Sequence, residues 1–191
     1  MWKIAILASG EGSNAEQIVR YFREKTLDAT FLIISNKTDA GVVRRATNLH
    51  IPIEIFLYQQ FVSGEVTERL RTFNPDLIVL AGFLLKIPDN MVALFPNKIL
   101  NIHPALLPKF GGRGMYGMHV HQAVKEQGET ETGITIHLVN EHYDEGKIVF
   151  QKAVAIVPSD TAEDISAKVR VLELQYYPAV IHNFLKTNSR N

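Results

Sequence analysis

Residues 2–14, WKIAILASGEGSN, decide the fold, because a short apolar run is followed at once by glycines and polar residues. Residues 2–8 are apolar apart from one lysine, which is typical of a strand that is buried on both faces. The glycines of residues 9–14 allow a tight turn, and apolar residues at helical spacing begin directly afterwards. The order of strand, glycine turn and helix predicts the first unit of an α/β protein.

The same order recurs through the first hundred residues. Short apolar runs predict strands at residues 2–8, 30–34, 53–57, 77–81 and 98–102. Between these runs, helical spacing of apolar residues predicts helices at residues 14–25, 40–48, 62–73 and 89–95. Buried strands that alternate with helices pair in parallel through right-handed crossovers. We therefore predict an α/β fold with a doubly wound, mostly parallel sheet flanked by helices.

The pattern changes after Pro108. Residues 109–117 are rich in glycine and have no periodicity. A short helix and two strands are predicted next, at residues 119–126, 133–139 and 147–157. The tight polar stretch between the two strands favours an antiparallel strand in this half of the chain. A last helix begins near Thr161 and passes Tyr176, and Pro178 is expected to kink or end it.

Composition indicates a small-molecule partner. The 191 residues suit one domain, so we predict a single domain over residues 1–191. Acidic and basic residues number 20 each without a long run of one sign, which argues against nucleic acid or an anionic membrane as a partner. Cysteine is absent, which excludes disulfides, thiolate metal sites and cysteine nucleophiles. No apolar run has membrane length, and the apolar opening is too short for a signal peptide, so we predict a cytoplasmic protein.

The glycine turn after the first strand is a candidate phosphate site. Backbone N–H groups and a helix N-terminus together favour an anion, and Gly12, Ser13 and Asn14 are placed to hold one phosphate. Gly10, Gly12 and Ala15 also fit the relaxed dinucleotide pattern G-x-G-x-x-G/A. The second predicted strand lacks the terminal acid that a ribose of NAD requires, which argues against that cofactor. The alternative is a purely structural turn with Asn14 as the helix cap.

Two polar residues end the fifth predicted strand. Asn101 and His103 are two residues apart, so they point to the same face, and Pro104 ends the strand directly after them. Ligands of open α/β sheets bind beyond the carboxyl ends of the strands, where the glycine turn also lies. An amide and an imidazole can thus converge on one ligand atom. The alternative is a capping asparagine and a hydrogen-bonded core histidine.

Other polar residues leave more than one interpretation open. Asp144 lies in a polar turn between two predicted strands, and its functional interpretation requires contact with His103, whose pKa a carboxylate would raise. His119 and His121 form an H-x-H pair, but no third ligand is evident, so we predict no metal site. His137 is expected to be a strand residue with a structural partner.

These residues make the chain similar to the folate-dependent formyltransferases. The resemblance is carried by SGEGSN at 9–14, ISNK at 34–37, DLIVLAGF at 76–83, NIHPALLPKF at 101–110, HVHQA at 119–123, the turn with Asp144 and the pair Tyr177-Pro178. The block N-I-H-P-x-L-L-P with a downstream aspartate is specific to these enzymes. Two features depart from the family pattern, namely Leu85-Lys86 where an arginine is frequent and a longer loop at residues 111–116.

The resemblance implies a set of site residues. It implies Gly12, Ser13 and Asn14 as phosphate ligands, Glu173 as a ribonucleotide ligand, Asn101, His103 and Asp144 as catalytic residues, and Leu84, Leu85, Lys86, Ile87, Asn101 and Asn140 as folate-binding residues. Residues 1–100 would then be a nucleotide-binding half with the phosphate loop, and residues 101–191 a catalytic and folate-binding half.

The implied reaction transfers a formyl group from 10-formyltetrahydrofolate, a co-substrate, to the amine of glycinamide ribonucleotide in de novo purine biosynthesis, without a metal. His103 and Asn101 would stabilise the tetrahedral oxyanion, while Asp144 would raise the His103 pKa and assist proton transfer. The alternatives are a formyltetrahydrofolate hydrolase, which uses water as acceptor, and a nucleotide-binding module without catalysis. A methionyl-tRNA formyltransferase would need a basic surface that the sequence does not have. The expected partners are small molecules, and the expected state is a monomer or a homodimer.

Overall fold

A single seven-stranded sheet forms the centre of the protein in a computed structural model that describes residues 1–188. The strands are β1 Trp2–Leu7, β2 Ala29–Ser35, β3 Ile53–Ile55, β4 Leu77–Leu80, β5 Ile99–His103, β6 Glu131–Leu138 and β7 Ile148–Ala155. The helices are α1 Ser13–Glu24, α2 Gly41–Asn48, α3 Tyr58–Val62, α4 Glu65–Phe73, α5 Asp89–Leu94, α6 Met118–Glu126 and α7 Ala162–Asn188.

The strand order is β3-β2-β1-β4-β5-β6-β7. The first five strands pair in parallel, whereas β6 pairs antiparallel with both β5 and β7. The chain moves outward from β1 to β3 on one side and then returns to place β4 on the other side of β1. This reversal leaves a crevice beyond the carboxyl ends of β1 and β4, where ligands of such sheets bind. The predicted doubly wound, mostly parallel sheet with antiparallel pairing in the second half is confirmed.

The core consists of two apolar layers, one on each face of the sheet. Alternate residues of β1 enter different layers: Ile4 and Ile6 pack with α1, α2, α6 and α7, whereas Ala5 and Leu7 pack with α3, α4 and α5. All four side chains are fully buried, which explains why the strand is continuously apolar. We call these the α1/α7 face and the α5 face.

Two predicted elements differ from the structure on the α5 face. The helix predicted at residues 62–73 begins only at Glu65, after Gly64 with a left-handed φ of 86°, and a separate short helix that was not predicted, α3, precedes it. The strand predicted at residues 53–57 is limited to Ile53–Ile55 at the edge of the sheet.

Helix α7 corrects a prediction about Pro178. The helix continues through this residue to Asn188, so the expectation that Pro178 could end it is wrong. Burial explains the continuity, since Tyr177 before the proline and Ile181 and Leu185 after it are all in the core. The Tyr177 hydroxyl donates to two strand carbonyls, that of Leu80 at the end of β4 and that of Leu100 near the start of β5. At 27 residues α7 is long, yet among residues 1–188 no helix has both the length and the apolar character to cross a membrane.

Candidate active site

One cavity of about 370 Å³ lies beyond the carboxyl ends of β4 and β5, and almost all of the site residues predicted from the sequence line it. Its walls include Ser13, Asn14, Leu84, Leu85, Lys86, Ile87, Asn101, His103, Asn140, Asp144 and Glu173. Gly12 is not part of the lining but is the residue directly before α1, where it adopts a left-handed conformation.

The imidazole of His103 is buried at the end of β5, with 3% of its surface exposed. Its Nε2 lies 2.7 Å from the carbonyl oxygen of Phe110. A carbonyl oxygen only accepts hydrogen bonds, so Nε2 carries the hydrogen. The second nitrogen, Nδ1, lies 3.5 Å from Oδ2 of Asp144. Nδ1 is therefore the nitrogen that gains a proton when His103 becomes charged.

Burial dominates the protonation of His103 in the free protein. Removal of the ring from water lowers its pKa, and this effect exceeds the opposing effects of the Asp144 carboxylate and the Phe110 carbonyl. His137 lowers the pKa further. Asp144 thus raises the pKa of His103 as expected, but burial leaves the net pKa below its ordinary value.

Asp144 accepts one backbone hydrogen bond and lies close to two histidine rings. The backbone N–H of Gly112 donates to Oδ2 over 3.0 Å, and Nε2 of His137 lies 3.5 Å from Oδ1. Burial opposes ionisation, but the contact with His137, the nearby His103 and the Gly112 N–H together lower the pKa of Asp144. The carboxylate is therefore charged at neutral pH and lies beside Nδ1 of His103.

His137 is a site residue whose role was not predicted from the sequence. It is directly opposite Asn101 in the antiparallel pairing of β5 and β6, and its Nε2 lies 3.1 Å from Nδ2 of Asn101. Nδ1 of His137 donates to the carbonyl oxygen of Leu138 over 2.9 Å, and when Nε2 carries no hydrogen it accepts from the Asn101 amide. This contact fixes the orientation of the Asn101 amide and leaves its second N–H for a ligand. The available signal was the alternation in β6, which puts His137 on the same buried face as Thr135.

The other end of the cavity lies between α1 and α7. Nδ2 of Asn14 donates to Oε2 of Glu173 over 2.9 Å, whereas the buried Oδ1 of Asn14 has no partner among the described residues. The structural alternative for Asn14 is wrong, because Gly12 is the cap residue and no side chain caps α1. Burial raises the pKa of Glu173 despite the contact with Asn14 and the charge of Arg170. Arg170, which the sequence reasoning did not select, lines the cavity one helical turn before Glu173.

The opposite wall of the cavity belongs to the α5 face. Leu85 packs against the apolar layer of that face, as does Val139 at the end of β6. The segment after β4 is anchored where the N–H of Leu84 donates to Oγ of Ser9 over 2.9 Å. Lys86 is paired with Asp89 at the surface, with 3.0 Å between Nζ and Oδ1. The cavity thus extends over the edge of the sheet from one face to the other, and the end of β5 lies between its two halves.

The geometry defines an α/β enzyme site that can polarise a carbonyl group between two bound small molecules. A helix N-terminus with Asn14, Arg170 and Glu173 suits a phosphorylated sugar, and a mainly apolar wall suits a flat ring system. Within residues 1–188, no cluster of three or more histidine or acidic residues has the arrangement of a metal site.

Comparison with known proteins identifies the family. The formyl transferase family matches residues 2–181, and the chain belongs to this family. It is 39% identical over 186 residues to chloroplastic phosphoribosylglycinamide formyltransferase of Arabidopsis thaliana, covering 94% of this chain and 64% of that protein. It is 39% identical over 196 residues to phosphoribosylglycinamide formyltransferase of Bacillus subtilis strain 168, covering 100% and 98%. The chain thus spans less than two thirds of the plant relative and nearly all of the Bacillus relative.

Solved structures agree in fold. Glycinamide ribonucleotide transformylase 1 from Symbiobacterium toebii superimposes with a TM-score of 0.90 at 32% identity, covering 98% of this chain and 89% of that one. Phosphoribosylglycinamide formyltransferase from Bacillus halodurans superimposes with a TM-score of 0.86 at 33% identity, covering 96% and 95%.

Proposed function

We propose that the protein transfers the formyl group of 10-formyltetrahydrofolate to the amine of glycinamide ribonucleotide, as a cytoplasmic enzyme of de novo purine biosynthesis. The observation that carries the proposal is the convergence of Asn101, His103 and Asp144 between the two halves of one cavity. The names of the relatives in the same family support this choice of substrates.

The two substrates would occupy opposite halves of the cavity. The phosphate binds at the N-terminus of α1 through Gly12, Ser13 and Asn14, with Arg170 supplying positive charge from α7. The ribose hydroxyls can satisfy the unpaired Oδ1 of Asn14 and the carboxylate of Glu173. The folate ring lies along Leu84 to Ile87, and Asn140 lies in the same wall.

The reaction requires no covalent enzyme intermediate. The neutral amine attacks the formyl carbon, the new C–N bond forms, and negative charge collects on the formyl oxygen. Nδ1–H of His103 and the free N–H of Asn101 donate to this oxyanion, and one such donor contributes about 2.7 to 4 kcal/mol in comparable sites. The bond from the formyl carbon to N10 of the folate then breaks, and the proton lost by the attacking nitrogen passes through water beside Asp144 to N10.

The test is an assay of the purified protein with both substrates, in which formylglycinamide ribonucleotide is measured by mass spectrometry. Asp144→Asn keeps an acceptor for the Gly112 N–H but removes the charge beside His103. We expect it to lower kcat by about 10²- to 10⁴-fold with little change in melting temperature. The matched control is Glu145→Gln, because this neighbouring acid is exposed and lies outside the main cavity.

Two outcomes would reject the proposal. Formate released from the folate without formylated nucleotide would establish the hydrolase, and binding of the nucleotide without either product would establish a module without catalysis. A monomer or a homodimer is consistent with the proposal, because each copy of the chain contains all of the residues named.

A further inference from the structure

His121 is a buried polar side chain of the cavity that the proposed mechanism does not use. It lies on α6, lines the cavity and is 5% exposed. Its Nδ1 is buried and has no hydrogen-bond partner among residues 1–188. Nδ1 is too deeply buried for a ligand to reach. The other ring nitrogen, Nε2, is not buried and makes no hydrogen bond among the described residues, so Nε2 is the atom at which a ligand can complete a contact.

The lack of a partner at Nδ1 determines the tautomer of the ring. Burial and the neighbouring His103 both lower the pKa of His121, so the ring is neutral and carries one hydrogen. Placing this hydrogen on Nδ1 would create a buried N–H without an acceptor, which is rarer in proteins than an underused acceptor. The hydrogen therefore lies on Nε2, and His121 offers the cavity a neutral donor.

The position of α6 indicates which substrate receives this donor. Helix α6 packs against α7, which carries Glu173, and Val124 of α6 belongs to the apolar layer of the α1/α7 face. The folate wall belongs to the other layer. His121 is also close enough to His103 to affect its ring electrostatically. The ring thus lies on the nucleotide side of the cavity, near the reacting end.

We propose that His121 is a substrate-binding residue whose Nε2–H donates to the carbonyl oxygen of the glycinamide arm. That arm must extend from the ribose at Glu173 toward the formyl group at His103. Because that carbonyl does not react, a donor to it would bind the nucleotide equally in the ground state and in the transition state. The inference rests on the proposed function, because it names the acceptor substrate of that reaction.

The experiment compares His121→Phe, which keeps the ring volume without a donor, with His121→Gln, whose side-chain amide can place an N–H near Nε2. An interaction with a part of the substrate that does not react affects binding rather than the chemical step. We expect His121→Phe to raise KM for glycinamide ribonucleotide about 10- to 100-fold, with much smaller changes in kcat and in KM for the folate. His121→Gln should recover most of this loss. The control is His50→Asn, since His50 is exposed and has a left-handed backbone that asparagine tolerates.

Three results would overturn the inference. These are an unchanged KM for the nucleotide in His121→Phe, a defect confined to kcat or to the folate, and a His121→Gln variant no better than His121→Phe. If the phenylalanine variant fails to fold, ¹⁵N NMR of the wild-type protein decides, because a hydrogen on Nδ1 of His121 contradicts the argument. A wild-type protein that forms no product would instead reject the proposed function, and the tautomer measurement would still stand.

Discussion

Replacement of Gly12 by alanine tests whether the glycine turn before α1 has the close packing seen in the structure. Gly12 has φ of 75°, and an added Cβ would lie 2.6 Å from Cβ and 2.7 Å from Cα of Val42. The left-handed conformation costs an alanine about 1 to 2 kcal/mol, and forced overlap with a packed neighbour costs about 1 to 3 kcal/mol. We therefore expect Gly12→Ala to lose about 2 to 5 kcal/mol of stability, equivalent to a melting temperature about 4 to 20 °C lower.

The same loop supplies the control. A Cβ at Gly10 would have nothing within 4 Å, so Gly10→Ala should stay within about 0.5 kcal/mol of the wild type in urea unfolding. Because the overlap at Gly12 involves the backbone and Cβ of Val42, adding Val42→Ala should not restore Gly12→Ala. Equal melting temperatures for the two glycine variants, or full rescue by Val42→Ala, would refute the reasoning.

Three further outcomes follow from polar side chains of α7. Tyr177→Phe should cost about 1 to 3 kcal/mol in urea unfolding, because its hydroxyl joins α7 to the carbonyls of Leu80 in β4 and Leu100 in β5, and an unchanged midpoint would contradict this. Glu173→Gln should keep or raise the melting temperature at pH 8 while raising KM for the nucleotide. The reason is that burial raises the pKa of Glu173 and penalises its charged form. A lower melting temperature with an unchanged KM would contradict this prediction. Burial lowers the pKa of His182 in the folded state. The stability that the neutral ring contributes is therefore fully present above the unfolded-state pKa, and it is lost as the pH falls through the folded-state pKa. The melting temperature of His182→Phe should therefore fall less than that of the wild type between about pH 7 and pH 5. An equal fall in the two proteins would argue against this role of His182.

Much of the fold could be predicted from the sequence because both faces of the parallel strands are buried. Short continuous apolar runs such as β1 that are bounded by glycine are typical of such strands, and the glycine turn fixes where α1 begins. The end of α7 could not be predicted from the sequence, because proline is disfavoured inside a helix and Pro178 therefore indicated a kink or an end. This preference is a local effect. Burial of Tyr177 and Ile181 on either side of Pro178 is tertiary and outweighs that effect.

The candidate site was predictable where one strand determines it. Asn101 and His103 share a face because residues two apart in any strand do so. The contact of Asn101 with His137 depends on the register of β5 against β6, which no local pattern encodes. Asp144 rather than its acidic neighbours reaches His103 because the turn places it there, with a left-handed φ of 57°. Spacing alone therefore could not select it.

The loop after β5 links the two groups on which the proposed chemistry depends. Phe110 accepts the hydrogen of His103 Nε2, and two residues later Gly112 donates to Asp144. One short segment thus fixes the tautomer of the imidazole and the orientation of the carboxylate that faces its other nitrogen. Since burial keeps the pKa of His103 low in the free protein, the imidazolium needs a second negative partner in addition to Asp144. In the proposed reaction that partner is the oxyanion itself, so the charge on His103 is stabilised mainly in the transition state, where it contributes to rate rather than to ground-state binding.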